Sequence, residues 1–140
     1  MGRYMRPFFH SISRLLEDTA GGQDKAFTTW RGGLEQAFGA LQLTTATIAQ
    51  KAMKDPEEAG AAATDYLRML GLVGVGYCFL KAASIAKARL SEGHQDAAFY
   101  EAKLATTAFF FDRILPQATV AFLVIKAGKR STMALLVDAF

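Results

Sequence analysis

The sequence predicts an all-α protein, an antiparallel four-helix bundle of long helices with a short C-terminal tail, and three features carry that prediction. The chain is rich in Ala, Leu and Phe, 51% apolar, and has only Pro7, Pro56 and Pro116 in 140 residues, so long uninterrupted segments are expected and a strand-and-turn architecture is not. Apolar residues recur at spacings of three, four and seven, the period of a helix with one buried face. The segments are separated by short breaks with stop and start chemistry at Gly21-Gly22, Asp55-Pro56 and Ser91-Glu92-Gly93, and short loops between long helices favour antiparallel neighbours. One domain, Met1–Phe140, is long enough to bury a core, and the chain carries no internal repeat, low-complexity tract or linker.

The first helix is expected from near Pro7, tolerated in a first turn, to Thr19, with Phe8, Ile12, Leu15 and Leu16 on one side. Asp24 is placed to cap a second helix carrying Phe27, Trp30, Leu34, Phe38, Leu41 and Ile48. Gly32-Gly33 inside it costs roughly 1 kcal/mol per Gly relative to Ala, which predicts a bend or a close helix contact. Asp55-Pro56-Glu57-Glu58 is the clearest helix start: a capping Asp, Pro at the first helical position, acids in the first turn, and Glu58 placed to complete a capping box. Nothing breaks the third helix before Ser91, so it holds about 35 residues and reaches about 50 Å at 1.5 Å per residue.

Asp96 caps the fourth helix, whose first stretch, Ala98–Pro116, has no Gly and three consecutive aromatics. At about 100° per residue, Leu104, Ala108, Phe111 and Leu115 form one stripe, Phe99, Phe110 and Ile114 lie on a second face, and Phe109 lies on a third. No single neighbour covers all of these, so Phe99, Phe109, Phe110, Phe111 and Ile114 are the candidate packing and interface residues, and a homodimer is expected. Pro116 ends or kinks this helix, Gln117–Ala127 resumes it, and a tail from Ser131 to Phe140 with Met133, Leu135, Leu136 and Phe140 folds back onto the bundle.

A net charge of +3 from 16 basic and 13 acidic residues is too weak and too mixed for a nucleic-acid partner. Cys78 stands alone within the apolar run Leu72–Leu80, which leaves no disulfide framework or thiolate metal site within one chain and points to a reducing cytoplasm. The N-terminal apolar patch is cut by His10, Ser11, Ser13 and Arg14 before it reaches signal-peptide length, and Arg6 stands where a myristoylation signal wants Ser or Thr.

Met69–Leu80 is uncharged, but a membrane span needs about 20 apolar residues and Arg68 and Lys81 close it off, so it reads as a buried helix and no membrane role is expected. Gly71, Gly74 and Gly76 lack the preceding strand and third Gly of a phosphate-cradling loop and read as close packing. His10 and His94 lack a ligand at i+3 or i+4, so no metal site is expected. Capping accounts for Glu57 and Glu58, an exposed turn near Lys103 for Glu101, and helix-end charge for Lys126, Lys129 and Arg130, so no catalytic residue is assigned.

The wording of two stretches adds more. Asp65–Val73 (DYLRMLGLV), followed by Ala98–Thr106 (AFYEAKLAT) and Phe109–Pro116 (FFFDRILP), resembles the C-terminal helical extension of one branch of the acyl-CoA dehydrogenases, the branch that includes the methylmercaptopropionyl-CoA dehydrogenase-like enzymes. The resemblance runs most closely from Ala61 onward and covers nearly the whole chain. It implies a parent flavoprotein that binds FAD and removes hydrogens from Cα and Cβ of an acyl-CoA, with a glutamate base in a Tyr-Glu-Gly motif. That motif does not occur here, and Tyr100-Glu101-Ala102 matches the extension's own pattern, so the catalytic role is not carried onto Glu101. The resemblance therefore implies a detached C-terminal domain without its own FAD, associating with itself or with the remainder of an acyl-CoA dehydrogenase. A free-standing helical dimerisation or interaction module is the alternative.

Overall fold

The computed structural model describes residues 2–21, 24–132, 134–135 and 137–139. Among these the regular structure is entirely helical: α1 Gly2–Asp18, α2 Lys25–Lys54, α3 Glu57–Ser91, α4 Ala97–Phe109, a π turn Phe110–Ile114, α5 Gln117–Ala127 and a 3-10 turn Val137–Ala139. α4, the π turn and α5 run on as one helical rod, Ala97–Ala127, and form the fourth long element. Helix α1 starts at Gly2, earlier than its proline suggests. Pro7 is exposed, and the α-helical bond it removes is the one to Arg3 in the opening turn.

Three aspartates stand at helix starts and do different things. Asp24 accepts from the N–H groups of Ala26 at 2.8 Å and Phe27 at 3.2 Å, as a capping residue should. The Asp55 carboxylate accepts from the Glu57 N–H at 3.1 Å, but the expected reciprocal bond from Glu58 does not form. Only Asp55 and Pro56 separate α2 from α3, and the Asp55 N–H already closes the last turn of α2 on the Lys51 carbonyl at 2.9 Å. Glu58 turns instead to the Lys51 ammonium at 3.6 Å. Asp96 holds the first turn of α4 through its backbone carbonyl, which accepts from Phe99 and Tyr100, and its side chain caps nothing.

The core gathers the residues that the helical spacing marks. Ile12 and Leu16 of α1, Phe27, Trp30, Leu34, Phe38 and Leu41 of α2, Met69, Val73 and Leu80 of α3, and Phe110, Phe111 and Leu115 of the rod are all buried. Lys87 of α3 reaches Asp24, Thr45 on α2 is 2.8 Å from the Tyr66 hydroxyl, and Lys51 pairs with Glu58, so α2 and α3 meet with their numbering running in opposite senses. The rod meets α3 in the same way, with Phe79 on Phe110, Arg68 on Gln117, and Glu57 on Lys129. Glycines permit the closest approaches. A methyl at Gly76 would stand 3.2 Å from Leu34 Cδ1, and one at Gly33 would stand 3.6 Å from Phe111 Cδ1. The close contact expected of Gly32-Gly33 is therefore made by Gly33, while Gly71 and Gly32 face open space.

The rod neither stops at Pro116 nor keeps a regular α-turn before it. Proline has no N–H to donate, and in an α-helix its ring would press on the carbonyl four residues back, here Asp112. The widened turn just ahead of it takes up that conflict: the Leu115 N–H bonds the Phe110 carbonyl five residues back at 2.9 Å. The extra residue also corrects the wheel drawn at a constant 100°. Phe110 shares the core with Phe111 and Leu115, where the regular period assigns it to a second face.

Candidate assembly surface

The five aromatic and aliphatic residues marked in the rod divide by the face they occupy. Phe110 stacks on Phe79 with ring centroids 4.9 Å apart, and Phe111 lies parallel to Trp30 at 6.3 Å, so both are internal packing residues. Ile114 is half-buried against them. Phe99 and Phe109 point outward, 55% and 60% exposed, and Lys103 stands over the Phe99 ring at 5.0 Å. Further along the rod Val120, Leu123 and Val124 continue the outward apolar surface.

A second outward stripe lies on α3, within and beyond the run expected to be buried. Leu67, Gly71, Val75, Cys78 and Ile85 are exposed, whereas Met69, Val73, Gly76 and Leu80 face inward. The run Met69–Leu80 is thus covered on one side only, and Cys78 is accessible. Its signal was present in the spacing: residues 71, 75, 78, 82 and 85 repeat by four and three, free of charge, on the side opposite the core. Glu57–Ser91 and Ala97–Ala127 are both long and apolar enough to cross a membrane by length and composition, with mean hydropathy of 1.6 and 1.5 over their most apolar windows. Only 33% of each window is buried within the chain. Among the described residues, the outward positions of both helices carry large apolar side chains that the chain itself leaves exposed.

On another side, α2 and the rod leave a groove. A cavity of about 310 Å³ lies between Gly33, Ala37 and Ala40 of α2 and Leu115, Ala118 and Phe122 of the rod. One helical turn onward a second cavity of about 210 Å³ shares Phe122 and is lined by Thr47, Lys51 and Lys126. Small residues on α2 create the space, because alanine and glycine cannot fill the gap between the helix axes.

Charge is concentrated where three helix ends meet. Lys129, just past the end of α5, bonds Glu57 at 2.6 Å and also the Asp55 carboxylate. The positive φ of Gly128, 73°, turns the chain there, and a methyl on Gly128 would stand 3.1 Å from the Glu58 carboxylate. Lys129 is thus a specific partner of two acids, where the sequence suggested only a solvated end. Its ammonium is held above the usual lysine range by Asp55 first and Glu57 second, and the Asp55 carboxyl is held below its usual value chiefly by Lys129. At the opposite end, Lys87 foremost and the Phe27 N–H lower Asp24.

Chemistry-bearing groups do not converge. Among the described residues no three His, Cys, Asp or Glu side chains gather in metal-binding range. Glu101 is exposed, and His94 lies against the Tyr100 ring with its Nδ1 accepting the Asp96 N–H at 3.2 Å. The expected fold-back of the tail rests on Met133, Leu136 and Phe140, which lie outside the described residues, and on Leu135, which is exposed.

Among known families, the model described as acetyl-CoA dehydrogenase C-terminal like matches residues 8–136. No curated protein matches the chain.

Proposed function

We propose, because the chain belongs to the acetyl-CoA dehydrogenase C-terminal-like family, that it is the C-terminal helical portion of an FAD-dependent acyl-CoA dehydrogenase and serves that enzyme's structure and assembly. In this reading the parent enzyme oxidises acyl-CoA between Cα and Cβ, and the resemblance of Phe109–Pro116 supports the methylmercaptopropionyl-CoA dehydrogenase-like branch. The opposed numbering of contacts supports an antiparallel four-helix arrangement, the exposed apolar residues of the rod support a homodimer, and the lone cysteine suits a reducing cytoplasm. The observation that carries the assembly role is the set of outward apolar residues on the two long helices, Leu67, Val75 and Ile85 on α3 and Phe99, Phe109, Val120 and Leu123 on the rod, which the chain itself leaves exposed. Burying such faces against another polypeptide returns roughly 25 cal/mol per Å² of apolar surface removed from water.

Three of the helix starts are poor seats for a flavin's pyrophosphate. Dinucleotide pyrophosphates sit on helix N-termini, whose N–H groups and dipole favour phosphate. Here the starts of α2, α3 and α4 each carry an aspartate, Asp24, Asp55 and Asp96, whose negative charge opposes a phosphate. No step of the oxidation is therefore assigned to this chain. Adding FAD to the purified protein should give no bound flavin spectrum, and acyl-CoA should give no turnover with an artificial electron acceptor. Detectable turnover would sink the reading. Light scattering at micromolar concentration should report a dimer, and a stable monomer would remove the self-association. The repeat of four and three on α3 also suits a free-standing dimerisation module. An upstream reading frame carrying a flavin-binding barrel and its glutamate base separates the parent-enzyme reading from that one.

A further inference from the structure

The α2 side of the molecule poses a different question from the outward faces of α3 and the rod. The two cavities along the α2–rod seam follow each other by one helical turn on both helices, Ala40 to Thr44 on α2 and Ala118 to Phe122 on the rod. From Gly33 to Lys51 the seam is about 27 Å long at 1.5 Å per residue. Its chemistry is graded. The Pro116 end is lined by apolar side chains, the Thr119 hydroxyl and the amide of Gln36, with no charged group. The far end adds Thr47, Lys51 and Lys126, and no acid lines it. Lys51 is shared with Glu58 at 3.6 Å, whereas Lys126 is exposed.

We propose that this seam binds a single-chain anionic amphiphile, a fatty carboxylate, with the alkyl chain along Ala37, Ala40 and Phe122 and the carboxylate at Lys126 and Lys51. A long apolar floor ending in positive charge matches a molecule that is apolar for most of its length and negative at one end. The site is independent of the parent-enzyme assignment, since it uses only this chain's residues.

Fluorescence titration of the full chain with cis-parinaric acid, displaced by palmitate, tests it. The fatty acid should bind with enhanced emission. Thr119→Trp, on the exposed rim of the seam, should weaken it at least tenfold. Lys126→Glu should weaken cis-parinarate and palmitate at least fivefold and leave the binding constant of the neutral hexadecanol, corrected for the weaker probe, unchanged. Val75→Glu, on the outer face of α3, should leave both unchanged, which separates the seam from adhesion to the exposed stripe. Absence of binding, equal loss in Val75→Glu and Thr119→Trp, or loss of hexadecanol along with palmitate in Lys126→Glu would each overturn the proposal. So would co-sedimentation with anionic phospholipid vesicles in place of palmitate displacement. Circular dichroism of each variant checks the fold, and Lys126→Glu keeps the test decisive if the bulky Thr119→Trp unfolds.

Discussion

Gly76→Ala should destabilise the protein although it replaces the poorest helix former but proline with the best. In an open helical position the exchange gains roughly 1 kcal/mol. At Gly76 the new methyl would meet Leu34 Cδ1 at 3.2 Å, and Leu115 Cδ1 and Phe110 Cε1 at 3.5 Å. All three neighbours are buried, at 0%, 4% and 5% exposure, so none can swing into solvent. Overfilling a dense core costs roughly 1–3 kcal/mol, which exceeds the propensity gain and leaves a net loss of about 1 kcal/mol. Gly39→Ala, at an exposed position inside α2 and away from both outward faces, is the internal control: nothing lies within 4 Å of the new methyl, so it should gain up to roughly 1 kcal/mol. Urea denaturation at fixed protein concentration measures both, because mass action would otherwise mix association with folding. Trp30 is the only tryptophan, sits in the core beside Phe111, and reports through its fluorescence. If Gly76→Ala proves as stable as Gly39→Ala, the contact between α2, α3 and the rod is looser than a 3.2 Å approach to Leu34 requires and close packing at Gly76 is refuted.

Three further outcomes follow from other parts of the molecule. Phe110→Ala should cost about 3–5 kcal/mol in urea denaturation, through the cavity it leaves against Phe79, while Phe109→Ala should change folding stability by less than about 0.5 kcal/mol and instead raise the dimer dissociation constant in sedimentation equilibrium. Asp24 and Asp55 have lowered carboxyl pKa values, so the stability they contribute is complete above their usual 3.8 and is lost as pH falls through the lower folded values. Thermal melts should therefore fall with pH below that point, and a double Asp24→Asn, Asp55→Asn variant should show a flatter acid limb. Lys129 has the opposite sign: its contribution is complete below its usual 10.5 and is lost only as pH rises through its raised value, so Lys129→Met should flatten the alkaline limb of the same melts.

Much of the fold was legible because its signals are local. Asp24 caps where a cap was expected, and Phe27, Trp30, Leu34, Phe38 and Leu41 are buried at the spacings that marked them. What escaped the sequence depends on events between elements. The capping box at Asp55 fails because a two-residue connection commits its N–H to the preceding helix, which no single-helix pattern encodes. The outward stripe of α3 was overlooked although its four-and-three spacing was legible: an uncharged run looks buried all round, and the positions of the neighbouring helices decide which side of it is covered. The groove beside Phe122 is a property of small residues on α2 meeting the rod, and neither sequence alone announces it.

The π turn gives the rod an unusual tolerance. A turn closed by a bond spanning five residues holds one residue more than an α-turn needs, so the helix carries a spare between Phe110 and Leu115. Removing Asp112, an exposed residue in that turn, shortens the rod by one position yet leaves Leu115, Ala118 and Ile125 able to keep their seats. Pro116 must change with it, since a regular turn would bring back the clash that the wide one avoids. Most helices cannot survive the loss of a residue, because everything downstream rotates by about 100°. Here the shortened sequence would have an unbroken α-helical period through the same core.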